Sequence, residues 1–237
     1  MMFFVGIHQP SDAKHLGPAF VSVHRLTGQW GRRSRFTDRP WIMDSGAFTT
    51  IAKHGGYPEP VSAYAEVIRR WASPNLLAAV AQDYMCEPHM LAKTGLTIAD
   101  HQRLTIERYI DLLNCNTGGV CILPVLQGYE PEDYARHVLA YGPWLSKDMW
   151  VGVGSVCKRN GKPGAILAVL EAIHDVRPDL RLHGFGLKTT SLKVQAVRDH
   201  LTSADSMAWS YSARRDGEGN QNNWRHAAAL ANAMECL

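Results

Sequence analysis

Four side chains able to do chemistry stand where apolar runs stop. They are Asp44 in "PWIMDSGAFTTI" (40–51), Asp83 in "AQDYMCEP" (81–88), Gln127 in "PVLQG" (124–128) and Asp205 in "SADSMAWSYSAR" (203–214). Two carboxylates facing one pocket are the minimum set for displacement at an anomeric carbon. One attacks or stabilises the sugar cation while the other handles protons. Asp83 and Gln127 carry acceptors and donors that match the edge of a flat, purine-like base. Gly152 and Gly154, in "MWVGVG" (149–154), would let backbone N–H and C=O groups come close to such a base. Each residue also has a plainer reading. Asp44 suits the N-cap of a following helix, Asp83 a cap or an arginine partner, and Gln127 a loop backbone. Asp205 lies among apolar residues, where an isolated charge is costly unless paired or functional. Three aspartates and a glutamine at the ends of apolar runs are harder to read as caps alone.

The runs themselves are short: "FFVGI" (3–7), "AFVSV" (19–23), "WIM" (41–43), "NLLAAVA" (75–81), "GVCILPVLQG" (119–128), "MWVGVG" (149–154), "LRLHGFG" (180–186) and "DSMAWS" (205–210). Runs of this length, rich in β-branched or aromatic residues, suit strands buried on both faces. Helical spacing of apolar residues fills 60–73, 97–115, 130–145, 162–176, 191–201 and 220–237. Eight strands alternating with helices predict a (β/α)8 TIM barrel, a single domain over residues 1–237, with a first connection that is short and basic rather than helical. A doubly wound sheet shares the pattern. In a barrel, the C-terminal strand ends face the active site, so the four side chains converge on one mouth.

With 237 residues, 46% of them apolar, the chain can bury a sizeable core as one unit. A net charge of +3 argues only weakly for a nucleic-acid partner, but the charge is unevenly spread. "HRLTGQWGRRSRFTDRP" (24–40) gathers Arg25, Arg32, Arg33, Arg35 and Arg39 with Trp30 and Phe36. Such a segment can neutralise phosphates and stack on bases, or it is a solvated loop without a partner. Lys158, Arg159 and Arg214 are further candidates for nucleic-acid contact. The five cysteines, Cys86, Cys115, Cys121, Cys157 and Cys236, are scattered with no C-x-x-C pair, which argues against structural zinc and a disulfide framework. No metal and no cofactor is expected. No apolar run is long enough to span a bilayer and "MMFFVGIHQP" is not a signal peptide, so a soluble, cytoplasmic protein is expected.

The motifs, taken in order, resemble those of the tRNA-guanine transglycosylases over roughly residues 40–215. "MDSGAF" resembles their D-S-G-G-[FY] motif, "QDYMCEP" their F-D-E-C, "LQGYE" their Q-G and "HGFGLKT" their M-G-V-G. "WIMDSGAFTTI", "SVHRL" and "SADSMAWS" look closer to the DNA-directed, DpdA-type relatives that place 7-deazaguanines in DNA. The resemblance implies a (β/α)8 barrel and exchange of guanine in DNA for a free 7-deazaguanine base such as preQ0. It implies that Asp205 attacks C1′ to give a covalent glycosyl-enzyme and that Asp44 is the general acid/base. Asp83, Gln127 and the Gly154 backbone would read the base, with Ser45 nearby. The chain departs from the tRNA enzymes in two ways: a single Asp205 stands in place of D-x-F-D, three residues early, and the C-terminal zinc subdomain is missing. The same chemistry would serve a minimal tRNA-guanine transglycosylase, or a hydrolytic nucleosidase (N-glycosidase) in which water resolves the intermediate. A non-enzymatic nucleic-acid module would not need carboxylates that repel phosphates.

Overall fold

Nine parallel strand segments form one sheet: β1 (Met2–Ile7), β2 (Ala19–Ser22), β3 (Trp41–Asp44), β4 (Leu76–Val80), β5 (Ile122–Leu123), β6 (Val125–Leu126), β7 (Trp150–Val153), β8 (Arg181–Gly184) and β9 (Ser203–Ser206). This computed structural model describes residues 1–27, 37–159, 161–215, 222–235 and 237, with the side chains of 158 and 215 left aside. The strand order is β5-β4-β3-β2-β1-β9-β8-β7-β6. Its two outer members are the halves of one stretch, divided at Pro124. Before the proline, the carbonyls of Cys121 and Leu123 accept the N–H groups of Ala79 and Ala81 next to β4. From the proline onward, the carbonyls of Pro124 and Leu126 accept the N–H groups of Gly152 and Gly154 next to β7. Proline has no N–H to give either neighbour, and here the stretch changes partner. The nine segments therefore make eight staves of a nearly closed α/β barrel, the fold class expected from the run of strands and helices.

Alternation along the staves separates two apolar layers. Phe4, Ile42, Ala78, Val80, Leu123 and Val125 fill the barrel interior, with Phe20, Trp150 and Phe185 against them. Their neighbours Val5, Met43, Ala79 and Leu126 face outward into the layer shared with the helices. That layer receives Tyr64 and Ile68 from the helix Val61–Trp71, Tyr109 and Leu112 from Ile98–Leu113, Tyr134 and Val138 from Pro131–Tyr141, and Ile166 and Leu170 from Pro163–Val176. Ile98–Leu113 starts at a capping box between Thr97 and Asp100.

The expected boundaries shift in three places. The last stave is Ser203–Ser206 rather than 205–210, because the helix Ala208–Arg215 takes over there. Trp209 fixes that turn by donating its indole N–H to the Gly6 carbonyl at 2.8 Å. The pattern over 191–201 becomes two short helices, Thr189–Leu192 and Gln195–Asp199. The β1–β2 connection, expected to be non-helical, contains a 3-10 turn at Pro10–His15.

Candidate active site

At the C-terminal mouth of the barrel lies a cavity of about 400 Å³. Asp44, Asp83, Glu87, Gln127, Ser155 and Asp205 give it polar walls, and Phe20, Phe185 and Met207 are among its apolar ones. Its volume is in the range of small-molecule sites. The four side chains singled out in the sequence thus meet in one space, although they lie up to 161 residues apart in the chain, counting from 44 to 205.

Asp205 points inward from β9 and is 5% exposed. Its Oδ1 accepts the Gly186 N–H at 3.0 Å and faces His183 Nε2 at 3.3 Å. Its Oδ2 takes no hydrogen bond from the described residues, and the residue lines the cavity. The carboxylate therefore has one anchored oxygen and one free one.

Asp44 closes β3 but does not cap the helix that follows. That helix, Ala47–His54, has Gly46 as its N-cap, in the left-handed conformation at φ 70°. The Asp44 carboxylate instead accepts hydrogen bonds from the Gly46 N–H and the Ser22 hydroxyl. Burial and the facing Asp205 carboxylate push its pKa up to about 6, and the hydrogen bonds and nearby His24 only partly oppose this.

Asp83 lies three residues beyond the end of β4 in a loop held by its neighbours. Tyr57 donates its hydroxyl to the Asp83 carbonyl at 2.9 Å, and the Tyr84 N–H donates to Thr105 Oγ1 at 2.9 Å. Burial, with Asp44 and Glu87 adding to it and the Gln127 amide opposing it, raises the Asp83 pKa to about 7. Gln127 donates its amide N–H to Asp83 Oδ2, and its Oε1 lies 2.7 Å from Ser155 Oγ. Ser155 Oγ also lies 2.8 Å from Glu87 Oε2 and accepts the Cys86 N–H at 3.0 Å. One hydroxyl hydrogen cannot serve both the Gln127 and the Glu87 oxygens.

The helices hold Gln127 in place. His137 Nδ1 accepts the Gln127 N–H at 2.8 Å, and Gln102 Nε2 donates to the Gln127 carbonyl at 2.7 Å. Burial drives the His137 pKa down to about 4, which keeps that nitrogen an acceptor. Gly154 is required by a close approach: a Cβ there would stand 2.2 Å from Gln127 Nε2. Its own N–H and C=O are already engaged, by the Leu126 carbonyl and the Tyr134 hydroxyl. Gly152 makes room for the Phe185 ring, 2.3 Å from where its Cβ would be, and is not on the cavity wall. Ser45 is buried and lines a second cavity of about 460 Å³ with Tyr57 and Tyr64, not the first. Ser155, Glu87, His137 and His183 were not assigned roles from the sequence. Their only signal there is a polar type within an otherwise apolar face.

A family model described as DpdA, DeoxyPurine in DNA protein A, matches residues 1–229. The chain belongs to the DpdA family. This is the 7-deazaguanine DNA-modification family that the motifs resemble, and the match covers the whole barrel. No curated protein matches the chain. DpdA membership implies DNA as the polymer, and the basic residues can be placed against that. Burial lowers the pKa of His8, and the nearby Arg25 and Arg214 charges add to this. Arg25 lines a small pocket that Asp44 also reaches. Arg159 lies over the Tyr129 ring, 5.1 Å from its centroid, on the Gln127 side. Arg32, Arg33, Arg35 and the Lys158 side chain lie outside the described residues. Among the described residues no group of His, Cys, Asp or Glu side chains could hold a metal ion, and no helix is long and apolar enough to cross a membrane.

Proposed function

We propose that this DpdA protein is a DNA-guanine transglycosylase that replaces guanine in DNA with a 7-deazaguanine base such as preQ0. The observation that carries the reading is the shared cavity: the free oxygen of Asp205 and the protonatable Asp44 open on the same space as the Asp83–Gln127 pair. Asp205 Oδ2 bonds to C1′ as the C1′–N9 bond breaks, and the departing guanine takes the bonding electrons and a proton from Asp44. The incoming base then gives its N9 proton to Asp44 and attacks C1′ from the opposite face, and Asp205 leaves. Two inversions restore the β-configuration. A pKa of about 6 suits a group that must give and take a proton near neutrality. Asp83 and Gln127 accept from and donate to the purine edge. The target nucleotide must leave the base stack to reach a barrel mouth, so flipped or single-stranded DNA is the substrate form.

The test is mass spectrometry of DNA and tRNA nucleosides from cells that express the chain with a supply of deazapurine, together with denaturing gels for an enzyme–DNA adduct. A deazaguanine nucleoside in DNA and an adduct lost in Asp205→Asn are expected. Modification of tRNA alone, or guanine release without incorporation, would replace this reading with the tRNA or the hydrolytic one.

A further inference from the structure

His183 lies within the barrel interior, fully buried, with Phe20 stacked on it at 5.7 Å between ring centroids and Phe185 edge-on at 4.8 Å. Phe4 and Trp150 close the remaining sides, each at 6.0 Å. A polar ring in such surroundings is costly unless both nitrogens are satisfied. They are satisfied by one chain of contacts. Trp150 Nε1 donates to Ser203 Oγ at 2.9 Å, Ser203 Oγ is 2.9 Å from His183 Nδ1, and His183 Nε2 is 3.3 Å from Asp205 Oδ1. The strand register builds this chain. His183 on β8 pairs with Ser203 on β9, and Ser203 and Asp205, two residues apart, share the inward face.

Hydrogen counting fixes the tautomer. A carboxylate can only accept, so with Asp205 as the attacking carboxylate Nε2 is the ring nitrogen that carries the hydrogen; Nδ1 is then the acceptor for the Ser203 hydroxyl, whose oxygen takes the Trp150 N–H. The ring hydrogen then sits on Nε2 and points at Asp205. We propose, building on the transglycosylase reading, that His183 is a positioning residue: its Nε2–H and the Gly186 N–H hold Asp205 Oδ1 so that Oδ2 faces C1′. Asp205 is the charged group against the ring among the described residues, and Asp44 lies beyond it across the cavity.

The test is the single-turnover rate of adduct formation on a guanine-containing single strand, measured beside DNA affinity and urea unfolding. His183→Phe keeps a ring in the aromatic cluster and removes the donor. Its adduct rate should fall about 100-fold with DNA affinity unchanged, in line with the effect of misplacing a reacting group. His183→Gln returns an N–H near the Nε2 position and should recover most of the rate. In Ser203→Ala, Nδ1 loses its partner and the ring can take the other tautomer, presenting a lone pair to Asp205. The adduct rate should then fall while DNA affinity stays unchanged, and Ser203→Thr, which returns a hydroxyl to Nδ1, should recover most of the rate. The Ser203 variants also decide the matter if His183→Phe does not fold. A wild-type rate in His183→Phe, equal losses in the Phe and Gln variants, or a wild-type rate in Ser203→Ala would overturn the assignment. If Asp205→Asn still forms the adduct, the assignment of Asp205 as the nucleophile fails instead.

Discussion

Replacing Asp83 with asparagine probes the electrostatics of the mouth in the absence of any substrate. The amide keeps the shape of the side chain and an acceptor for Gln127, and it removes the charge. In the folded protein burial holds the Asp83 pKa near 7, against 3.8 ordinarily. A raised pKa means that the folded state binds the proton more tightly than the unfolded chain. Its contribution to stability is complete below the unfolded value and is lost as pH rises through about 7. At about 1.4 kcal/mol per tenfold, the ionised carboxylate costs the fold about 4 kcal/mol at pH 7 and above. Asp83→Asn avoids this cost.

The variant should therefore match wild type near pH 4, gain on it by about 1.4 kcal/mol per pH unit, and level off above pH 7. His137 works the other way. Its lowered pKa, about 4 instead of 6.5, gives stability that is present above pH 6.5 and lost as pH falls toward 4. That trend is common to both proteins and cancels in the difference. Urea unfolding followed by tryptophan fluorescence at several pH values between about 4.5 and 8 measures it. A difference that stays flat over this range, or a variant less stable than wild type at pH 8, would refute the argument that Asp83 is a strained buried carboxylate.

Gly154→Ala should push the Gln127 amide off Asp83, costing about 1–3 kcal/mol of stability and abolishing base exchange; unfolding curves and exchange assays check both. Binding of a deazaguanine base should expel a proton from Asp83 near pH 7, because N–H donors favour the carboxylate. Calorimetry in buffers of different ionisation enthalpy reads this directly, and a buffer-independent heat would count against Asp83 as the base reader. Replacing Arg32, Arg33 and Arg35 together with alanine should weaken DNA binding and flatten its dependence on log salt concentration by about two to three. An unchanged slope would move the phosphate contacts to other residues, with Arg25 and Arg214 near His8 next in line.

The barrel and the ring of polar groups were legible because both are local signals. Asp44, Asp83, Gln127 and Asp205 interrupt apolar runs, and the C-terminal-end rule is enough to bring them together. Pro124 was in view, but its effect was not: only the closed sheet shows that the stretch changes partner there. The last strand was misplaced because "DSMAWS" reads as apolar, whereas Trp209 is spent on fixing a helix start against Gly6. Gly152 and Gly154 look alike in sequence, yet one yields space to Phe185 and the other to Gln127. The supporting groups were hidden for a single reason. His183 meets Asp205 across 22 residues, Ser155 meets Glu87 across 68, and Gln102 meets Gln127 across 25. A polar residue on a buried face signals that it has a partner without saying which.

Four carboxylates around one cavity create a difficulty for any protein that must admit a polyanion. Fully ionised, Asp44, Asp83, Glu87 and Asp205 would repel phosphate and one another. The structure answers with unequal surroundings. Asp205 has an N–H from Gly186 and the His183 ring on one oxygen, so its charge has fixed partners. Asp44 and Asp83 are held up at about 6 and about 7 by burial and by facing other carboxylates, so each takes up a proton close to neutrality. Under the transglycosylase reading, these unequal surroundings suit Asp205 to attack and Asp44 to carry the proton. The same protons reduce the negative charge at the mouth, where Arg25 lines the adjoining pocket that Asp44 also reaches. On the same reading, proton transfer to the base and access for the DNA strand both depend on one feature, the burial of Asp44 and Asp83. A substitution that hydrates the mouth should weaken both together.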